Sequence, residues 1–549
     1  MVFVHLNKEG FQNDIHSLVK AFFPSENVSV CIADKRQKAG AFQETNTAGL
    51  VLWVDHLKEQ VSMALYERSL NESGSTQEQK EGDKQADTEL CETDNMEERK
   101  RDLCAQDFKN IWKDADFLRE ELRKSEKWER KEEVYSAINY SDKKSARNIV
   151  KQSLYRILSS YTGKALPWGT LTGVRPVKIP MAMIEAGETK RDIAQHMMSA
   201  FYTSEQKTDL SIQIAQRELR LLQKLDYQNG YSLYIGIPFC PSTCLYCSFT
   251  SYPVFEWAGR VDEYLDALEK EICAVAKMLS GKCLNSIYIG GGTPTTLTPR
   301  QLERLLTCIE SKFDFSDLIE YTVEAGRPDS ITKEKLEALR AHKIKRISIN
   351  PQTMKQQTLD LIGRRHTVTQ TQESFWLARS MGFENINMDL IMGLPNETLS
   401  DVQNTMEKLR EMQPDNITVH SLALKRTSRL NMEKEAYAGL QIVNTQQHLD
   451  AARKVCEQMG MRPYYLYRQK NMAGNFENVG YAKEGKEGIY NVLIMEEKQT
   501  IVACGAGSIS KRVYPGGRIE RSENVKDVAL YIQKIDEMIE RKRKLLTDF

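Results

Sequence analysis

The chain carries no excess of either charge. Its 76 Lys and Arg balance 76 Asp and Glu over 549 residues, so no overall field draws it to nucleic acid or to an anionic membrane. No apolar run approaches the ~20 residues of a bilayer span. The chain opens Met-Val-Phe-Val-His, without a charged-then-apolar leader. A disulfide framework is missing too. The 11 cysteines are an odd number, and Cys31, Cys91, Cys104, Cys273, Cys283, Cys308, Cys456 and Cys504 are scattered without pairing signatures. Together these absences predict a protein of the reducing cytoplasm whose thiols stay free for metal; they leave the oligomeric state open, with a monomer favoured. Hydrophobic content of 41% and charged content of 28% are ordinary for a globular protein. The length calls for two to four domains. Function must therefore sit in a local site.

One stretch supplies it: Tyr234-Ile-Gly-Ile-Pro-Phe-Cys-Pro-Ser-Thr-Cys-Leu-Tyr-Cys247. Cys240, Cys244 and Cys247 follow an apolar, strand-like run with Cys-x3-Cys-x2-Cys spacing. From one short loop, three thiolates can converge on one metal cluster. Zinc sites and ferredoxin-type clusters take four protein ligands, and no fourth cysteine lies nearby. Three ligands leave one iron free to bind a small molecule. The plainer readings are buried structural cysteines or a zinc site completed by a distant His or Cys. Crowding among Pro238, Pro241 and Gly236 fits simple packing poorly.

Strand-like runs at Ser232 to Ile237, Ser286 to Ile289, Ile319 to Val323, Ile344 to Ile349, Ile386 to Ile391 and Asn416 to Ser421 alternate with amphipathic stretches. That alternation predicts βαβ units and a parallel sheet. Six repeats are too few to close an eight-stranded barrel. The predicted fold class is α/β, with an open, partial (β/α)6 TIM-like barrel over 231–424. An N-terminal α/β domain over 1–165 and a helical connector over 166–230 precede it, and a C-terminal α+β cap domain over 425–549 follows. Helical pattern is expected at Leu57 to Tyr66, Phe108 to Leu122 and Ala146 to Leu158. An acidic insertion at about 70–105 is predicted to be disordered. Its residues 77–101 hold nine acids, five bases and only Ala86, Leu90, Cys91 and Met96 as apolar groups, too few to offset the entropy of ordering. A hairpin of Tyr490 to Ile494 with Thr500 to Cys504 is expected near the end.

In parallel α/β folds, chemistry sits at the carboxyl ends of the strands. The first run leads into the cysteines. The second ends in Gly290-Gly-Gly-Thr-Pro-Thr295, where glycines let backbone approach a ligand and expose amide donors. Glu324 ends the third, either as a ligand for an ammonium or ribose hydroxyl or as a plain solvated carboxylate. Asn350-Pro-Gln352 ends the fourth, with Arg364 one helix later. The fifth reads Asn387-Met-Asp-Leu-Ile-Met-Gly-Leu-Pro395. Asp389 in that apolar run is costly unless paired or hydrogen-bonded, so it is expected to face the interior. His420-Ser-Leu-Ala423 ends the sixth, and His420 by itself reads as a structural group rather than a proton shuttle.

These residues resemble the radical S-adenosylmethionine enzymes. Val323-Glu-Ala-Gly-Arg-Pro-Asp329 and the run from Pro463 to Tyr481 are similar to the oxygen-independent coproporphyrinogen oxidase (coproporphyrinogen dehydrogenase) group, especially its HemZ branch, over about 230–515. The resemblance implies a [4Fe–4S] cluster on Cys240, Cys244 and Cys247, with S-adenosylmethionine on the fourth iron. It implies that Tyr234, Tyr246, Gly291, Gly292, Thr293, Glu324, Gln352, Arg364, Asp389, Ala423 and Ile509 contact one or two molecules of S-adenosylmethionine. The implied reaction, in porphyrin and haem biosynthesis, uses a 5′-deoxyadenosyl radical to convert two propionates of coproporphyrinogen III to the vinyls of protoporphyrinogen IX. It calls for a porphyrinogen substrate and an electron donor such as flavodoxin or ferredoxin. A tetracarboxylate substrate also needs cations near the barrel mouth, for which Arg327, Lys425, Arg426, Arg468 and Lys511 are candidates. Phe249 stands where the best-known oxidases carry a further cysteine. The alternatives are a haem-binding chaperone of the HemW type and a radical enzyme acting on another substrate. The chaperone's His-Asn-x-x-Tyr-Trp segment is absent, the region reading Gly474-Asn-Phe-Glu-Asn-Val-Gly-Tyr481.

Overall fold

The computed structural model describes residues 1–32, 48–68, 128–249, 251–433, 435–437, 439–469, 472–547 and 549. The expected acidic insertion and the expected helix at Phe108 to Leu122 lie outside them. The chain divides into two units, 1–172 with 196–204, and 173–195 with 205–549.

The first unit is a five-stranded sheet in the order β2-β1-β3-β4-β5. Its strands are β1 (Val2–Leu6), β2 (Val28–Ile32), β3 (Leu50–His56), β4 (Gln60–Arg68) and β5 (Trp128–Ala137). The first three run parallel and the last two antiparallel. Alternation along β3 explains how it is buried on both faces. Leu50, Leu52 and Val54 pack with helices Gln12–Phe22 and Lys143–Thr162, while Val51 and Trp53 join Phe3 and Tyr66 on the other side. The segment Leu57 to Tyr66, expected to be helical, is instead a short connection at 57–59 followed by most of β4. Its apolar residues Val61, Met63 and Leu65 recur every second position, which is the strand period.

The second unit is built on an eleven-stranded sheet, β14-β15-β13-β12-β11-β10-β9-β6-β16-β17-β18. Six strands, β6 (Tyr231–Ile237), β9 (Leu284–Gly291), β10 (Glu320–Gly326), β11 (Arg346–Ile349), β12 (Asn385–Met392) and β13 (Asn416–Ser421), follow one another in sequence order, all parallel. Helices Val261–Met278, Pro299–Lys312, Lys333–Ala341, Val368–Ser380 and Leu399–Met412 connect them. Three of these helices start on a capping box, with Thr298, Thr367 and Thr398 exchanging bonds with Gln301, Gln370 and Asp401. Along each strand the outward residues are apolar: Ile347, Ile349, Ile386, Met388 and Leu390 are fully buried against the helices. The inward phase is polar. Arg346, Asn350, Asn387, Asp389, Thr418 and His420 all line one cavity with Tyr234 of β6. A sheet whose first and last strands line the same cavity is curled round it. The sheet is the open (β/α)6 partial barrel.

The C-terminal residues extend this sheet rather than standing apart from it. β14 (Arg462–Tyr467) and β15 (Asn478–Ala482) add antiparallel strands beyond β13. β16 (Thr500–Cys504) adds a parallel strand beside β6, followed by β17 (Ile509–Val513) and β18 (Ile519–Glu523). The expected hairpin is corrected: Tyr490 to Ile494 lie in the helix Ile489–Glu496, and β16 pairs with β17. A run of apolar residues this short does not distinguish a buried helix from a strand.

Candidate active site

The cysteine loop leaves β6 at Ile237 and is tied down at both ends. Phe239 and Cys240, as β7, pair with β8 (Tyr252–Pro253). Leu245 donates its amide to Ile362 O at 3.0 Å and buries its side chain against Ile362, Leu394 and Leu422. The end of β9 closes on the same loop: the amides of Gly292 and Thr293 bond to Ile237 O at 2.8 Å and Phe239 O at 2.7 Å. A Cβ on Gly292 would stand 2.4 Å from Phe239 O, so only glycine admits this approach. These two amides hold the cysteine loop, which differs from their expected role as free donors to a ligand.

Cys240, Cys244 and Cys247 are free thiols on the wall of the cavity, whose volume is about 430 Å³. Two donors aim at their sulfurs: Thr293 Oγ1 lies 3.7 Å from Cys240 Sγ, and Arg327 Nη1 lies 3.9 Å from Cys244 Sγ. The Arg327 guanidinium is pinned by Asp329 at 3.0 and 2.6 Å, and its Nη1 also reaches Ser242 Oγ at 2.8 Å. Burial pushes the Cys247 thiol up to about 11 and raises that of Cys240. Such thiols make poor nucleophiles by themselves and become thiolates when a metal takes their protons' place. Among the described residues no three Cys, His, Asp or Glu side chains come close enough to hold a single metal ion. Three cysteine thiols on one cavity wall are the donor chemistry that an iron–sulfur cluster takes.

The residues expected to contact S-adenosylmethionine line the same cavity, with one exception. Tyr246 hydroxyl is 3.1 Å from Arg364 Nη1, and Arg364 Nη2 donates to Asn350 O at 2.6 Å, leaving Nε buried without a partner. Gln352 adopts a left-handed φ of 68°, and its Oε1 is also buried and unpartnered. Non-glycine strain of this kind persists where surrounding structure enforces it; here backbone bonds to Asp389 O and from Ile391 N do so. Glu324 accepts from Tyr288 Oη at 2.5 Å, and burial pushes its carboxyl up to about 7. Asp389 faces the interior as expected. Burial opposes its charge, but His420, Asn387 and Thr418 hold it below the ordinary carboxylate range. Gly291, Gly292, Thr293 and Ala423 complete the lining near the cysteines. Ile509 is the exception, being 46% exposed on β17 and away from the cavity.

Several lining residues were not singled out in the sequence. Tyr288 and Tyr490 stack at 4.6 Å, with Tyr234 6.3 Å from Tyr288. Tyr465 and Tyr467 form a second stack, and Tyr467 Oη approaches His420 Nδ1 at 3.3 Å. Strand phase could have found Tyr288, which shares a face with Gly290 two residues on. Of the candidate cations, Arg327 and Lys425 line the cavity, and Arg426 is exposed outside that lining. Arg327 is committed to Asp329, Lys511 to Glu497 at 3.0 Å, and Arg468 to Asn475 at 2.7 Å.

The sequence profile of the Radical SAM superfamily matches residues 234–409, the span from Tyr234 to the helix after β12. The oxygen-independent coproporphyrinogen-III oxidase-like protein HemZ of Bacillus subtilis is 38% identical over 408 residues, 73% of this chain and 81% of that protein. The chain belongs to the radical SAM superfamily. Within it, the chain falls in the HemZ-like coproporphyrinogen oxidase group. As a radical SAM enzyme it uses a [4Fe–4S] cluster and S-adenosylmethionine. The heme chaperone HemW of Bacillus subtilis is 34% identical over 56% of this chain and 76% of that protein. The solved coproporphyrinogen III oxidase HemN of Escherichia coli, a radical SAM enzyme, is 25% identical over 59% of this chain and 73% of its own, with a TM-score of 0.46.

Proposed function

We propose that this radical SAM protein carries out oxygen-independent oxidative decarboxylation of coproporphyrinogen III, giving protoporphyrinogen IX. The observation that carries the reading is one cavity that joins the three cysteines to the ends of β10, β11 and β12 and to a wall of tyrosines. Cys240, Cys244 and Cys247 would hold the cluster. Tyr234, Tyr246, Gly291, Gly292, Thr293, Glu324, Gln352, Arg364, Asp389 and Ala423 would contact S-adenosylmethionine, of which one or two molecules bind. Bound together, cluster and cofactor supply hydrogen-atom abstraction from carbon.

The chain's part is positioning and exclusion of water. Arg364 and Tyr246 brace each other beside the cysteine loop, the Asp389 carboxylate is oriented by Asn387, and the tyrosine stacks offer flat apolar faces to a tetrapyrrole. At each reacting propionate the β-carbon gives up a hydrogen atom. Carbon dioxide and one electron then leave, the electron to an acceptor outside the chain, and a vinyl group remains. The relationship to the HemZ oxidase-like protein over most of its length supports this reading.

A second reading, a haem-binding chaperone, draws on the HemW relative. Anaerobic incubation of the reconstituted protein with coproporphyrinogen III, dithionite, S-adenosylmethionine and an electron acceptor separates the two. Mass spectrometry should find vinyl products together with 5′-deoxyadenosine. Tight stoichiometric haem binding with no vinyl product would favour the chaperone.

A further inference from the structure

Of the cations expected at the barrel mouth, Arg327 and Lys511 are held by carboxylates, whereas Arg346, at the start of β11, is not. Arg346 is the first residue of β11 and lies four residues before Asn350, roughly 13 Å deeper at ~3.3 Å per residue. It shares its strand face with Asn350 and lines the same cavity as the cysteines. Its residue is 3% exposed. Among the described residues no carboxylate makes an ion pair with it, its Nε has no hydrogen-bond partner, and Nη1 makes only a 3.5 Å bond to Thr322 Oγ1. The nearby Glu320 attracts it but has its oxygens engaged by the hydroxyl of Thr322 and the amides of Ile489 and Tyr490.

A buried guanidinium without an ion-paired carboxylate is costly, and planar forked donors match carboxylates best. Asn491, whose amide nitrogen has only a 3.4 Å bond to Tyr464 Oη, lines the cavity with it. Tyr288, Tyr465 and Tyr490 surround the approach with aromatic surface. The geometry points to Arg346 and Asn491 as the anion subsite of the substrate pocket, taking a carboxylate of an aromatic polycarboxylic acid whose ring lies against the tyrosines. The subsite rests on the proposed porphyrinogen reading and deepens it.

The test uses the full-length protein with its cluster reconstituted under argon, and two fluorescent probes: coproporphyrin III and its tetramethyl ester. Wild type should bind the tetra-acid at least about tenfold more tightly than the ester, as expected when a buried charge loses its partner. Arg346→Gln and Asn491→Asp should each lose that preference while keeping ester affinity, cluster absorbance and S-adenosylmethionine binding. Asn491→Asp supplies Arg346 with an internal carboxylate that competes with the ligand's. It decides the matter alone if Arg346→Gln fails to fold. Equal binding of acid and ester by wild type, no binding of either, or an undiminished preference in Asn491→Asp would overturn the subsite. If binding depends on these residues yet no vinyl product forms, the subsite stands and the reaction reading falls. If vinyl product forms while the variants keep wild-type affinity, the reverse holds.

Discussion

Glu324 ends a strand in a buried site, with a phenol as its strongest hydrogen bond. Its carboxyl, ordinarily near 4.5, is raised to about 7, chiefly by burial and against the pull of Tyr288. A group raised in the folded chain stabilises it fully below about 4.5, and that contribution is lost as pH climbs through about 7. If the carboxylate accepts bonds from S-adenosylmethionine, cofactor affinity rises over the same window. Tyr288→Phe removes a bond that lowers the Glu324 value, so the midpoint of the affinity profile should move to higher pH. Equilibrium dialysis at several pH values reads this, and an unmoved midpoint would contradict it. Arg327 presents a second case. Pinned by Asp329, it reaches both Ser242 and Cys244. Arg327→Met should weaken iron retention about tenfold, as losing a partner of a metal ligand commonly does, which iron content after exposure to a chelator would report. Arg327 was one of five candidate substrate cations, each read singly as a surface charge instead; it is buried, and Asp329 closes on its fork.

At the scale of the element, the strands carry their message in their phase. Arg-Ile-Ser-Ile-Asn at 346–350 and Asn-Met-Asp at 387–389 alternate polar with apolar, a pattern that normally marks one solvated face. Here the polar face turns inward, because helices cover the outside and the cavity is wet with functional groups. The alternation was legible, and at Asp389 so was the inward face, because a carboxylate in an apolar run is costly unless paired; at Arg346 no such reading was made. The glycine run at the end of β9 was legible as a place of close approach, yet its contact is the cysteine loop. Gly292→Ala should therefore push Phe239 aside and lower cluster incorporation while leaving thermal stability of the sheet nearly intact. Full iron content in that variant would show that the loop can shift without loss.

Across the whole second unit, the end of the chain locks onto its middle. Lys542 and Glu271 form a fully buried ion pair at 2.6 Å. Glu271 also accepts from Gly505 N at 2.8 Å, Asn524 Nδ2 at 2.8 Å and Tyr531 Oη at 2.7 Å. Tyr264, about two helical turns earlier, donates to Gly236 O at 2.6 Å in the strand that feeds the cysteine loop. Lys542→Met strands a buried carboxylate and should cost about 3–5 kcal/mol. Denaturant unfolding checks this, and adding Glu271→Gln should recover much of the loss. A loss unrelieved by the second change would place the cost in packing instead.

By itself the sequence determined the cluster chemistry, the order of six βα units and the side of the sheet where the cysteines lie. Those depend on spacing within a loop and on periodicities of 2 and 3.6, which are local. Only the tertiary structure decided that β14 to β18 join the barrel sheet, that Ile509 is not among the residues lining the cavity, and that Arg346 shares that cavity with Asn491 without an ion-paired carboxylate. Pairing and burial join residues hundreds of positions apart, and no short window of the chain contains both partners.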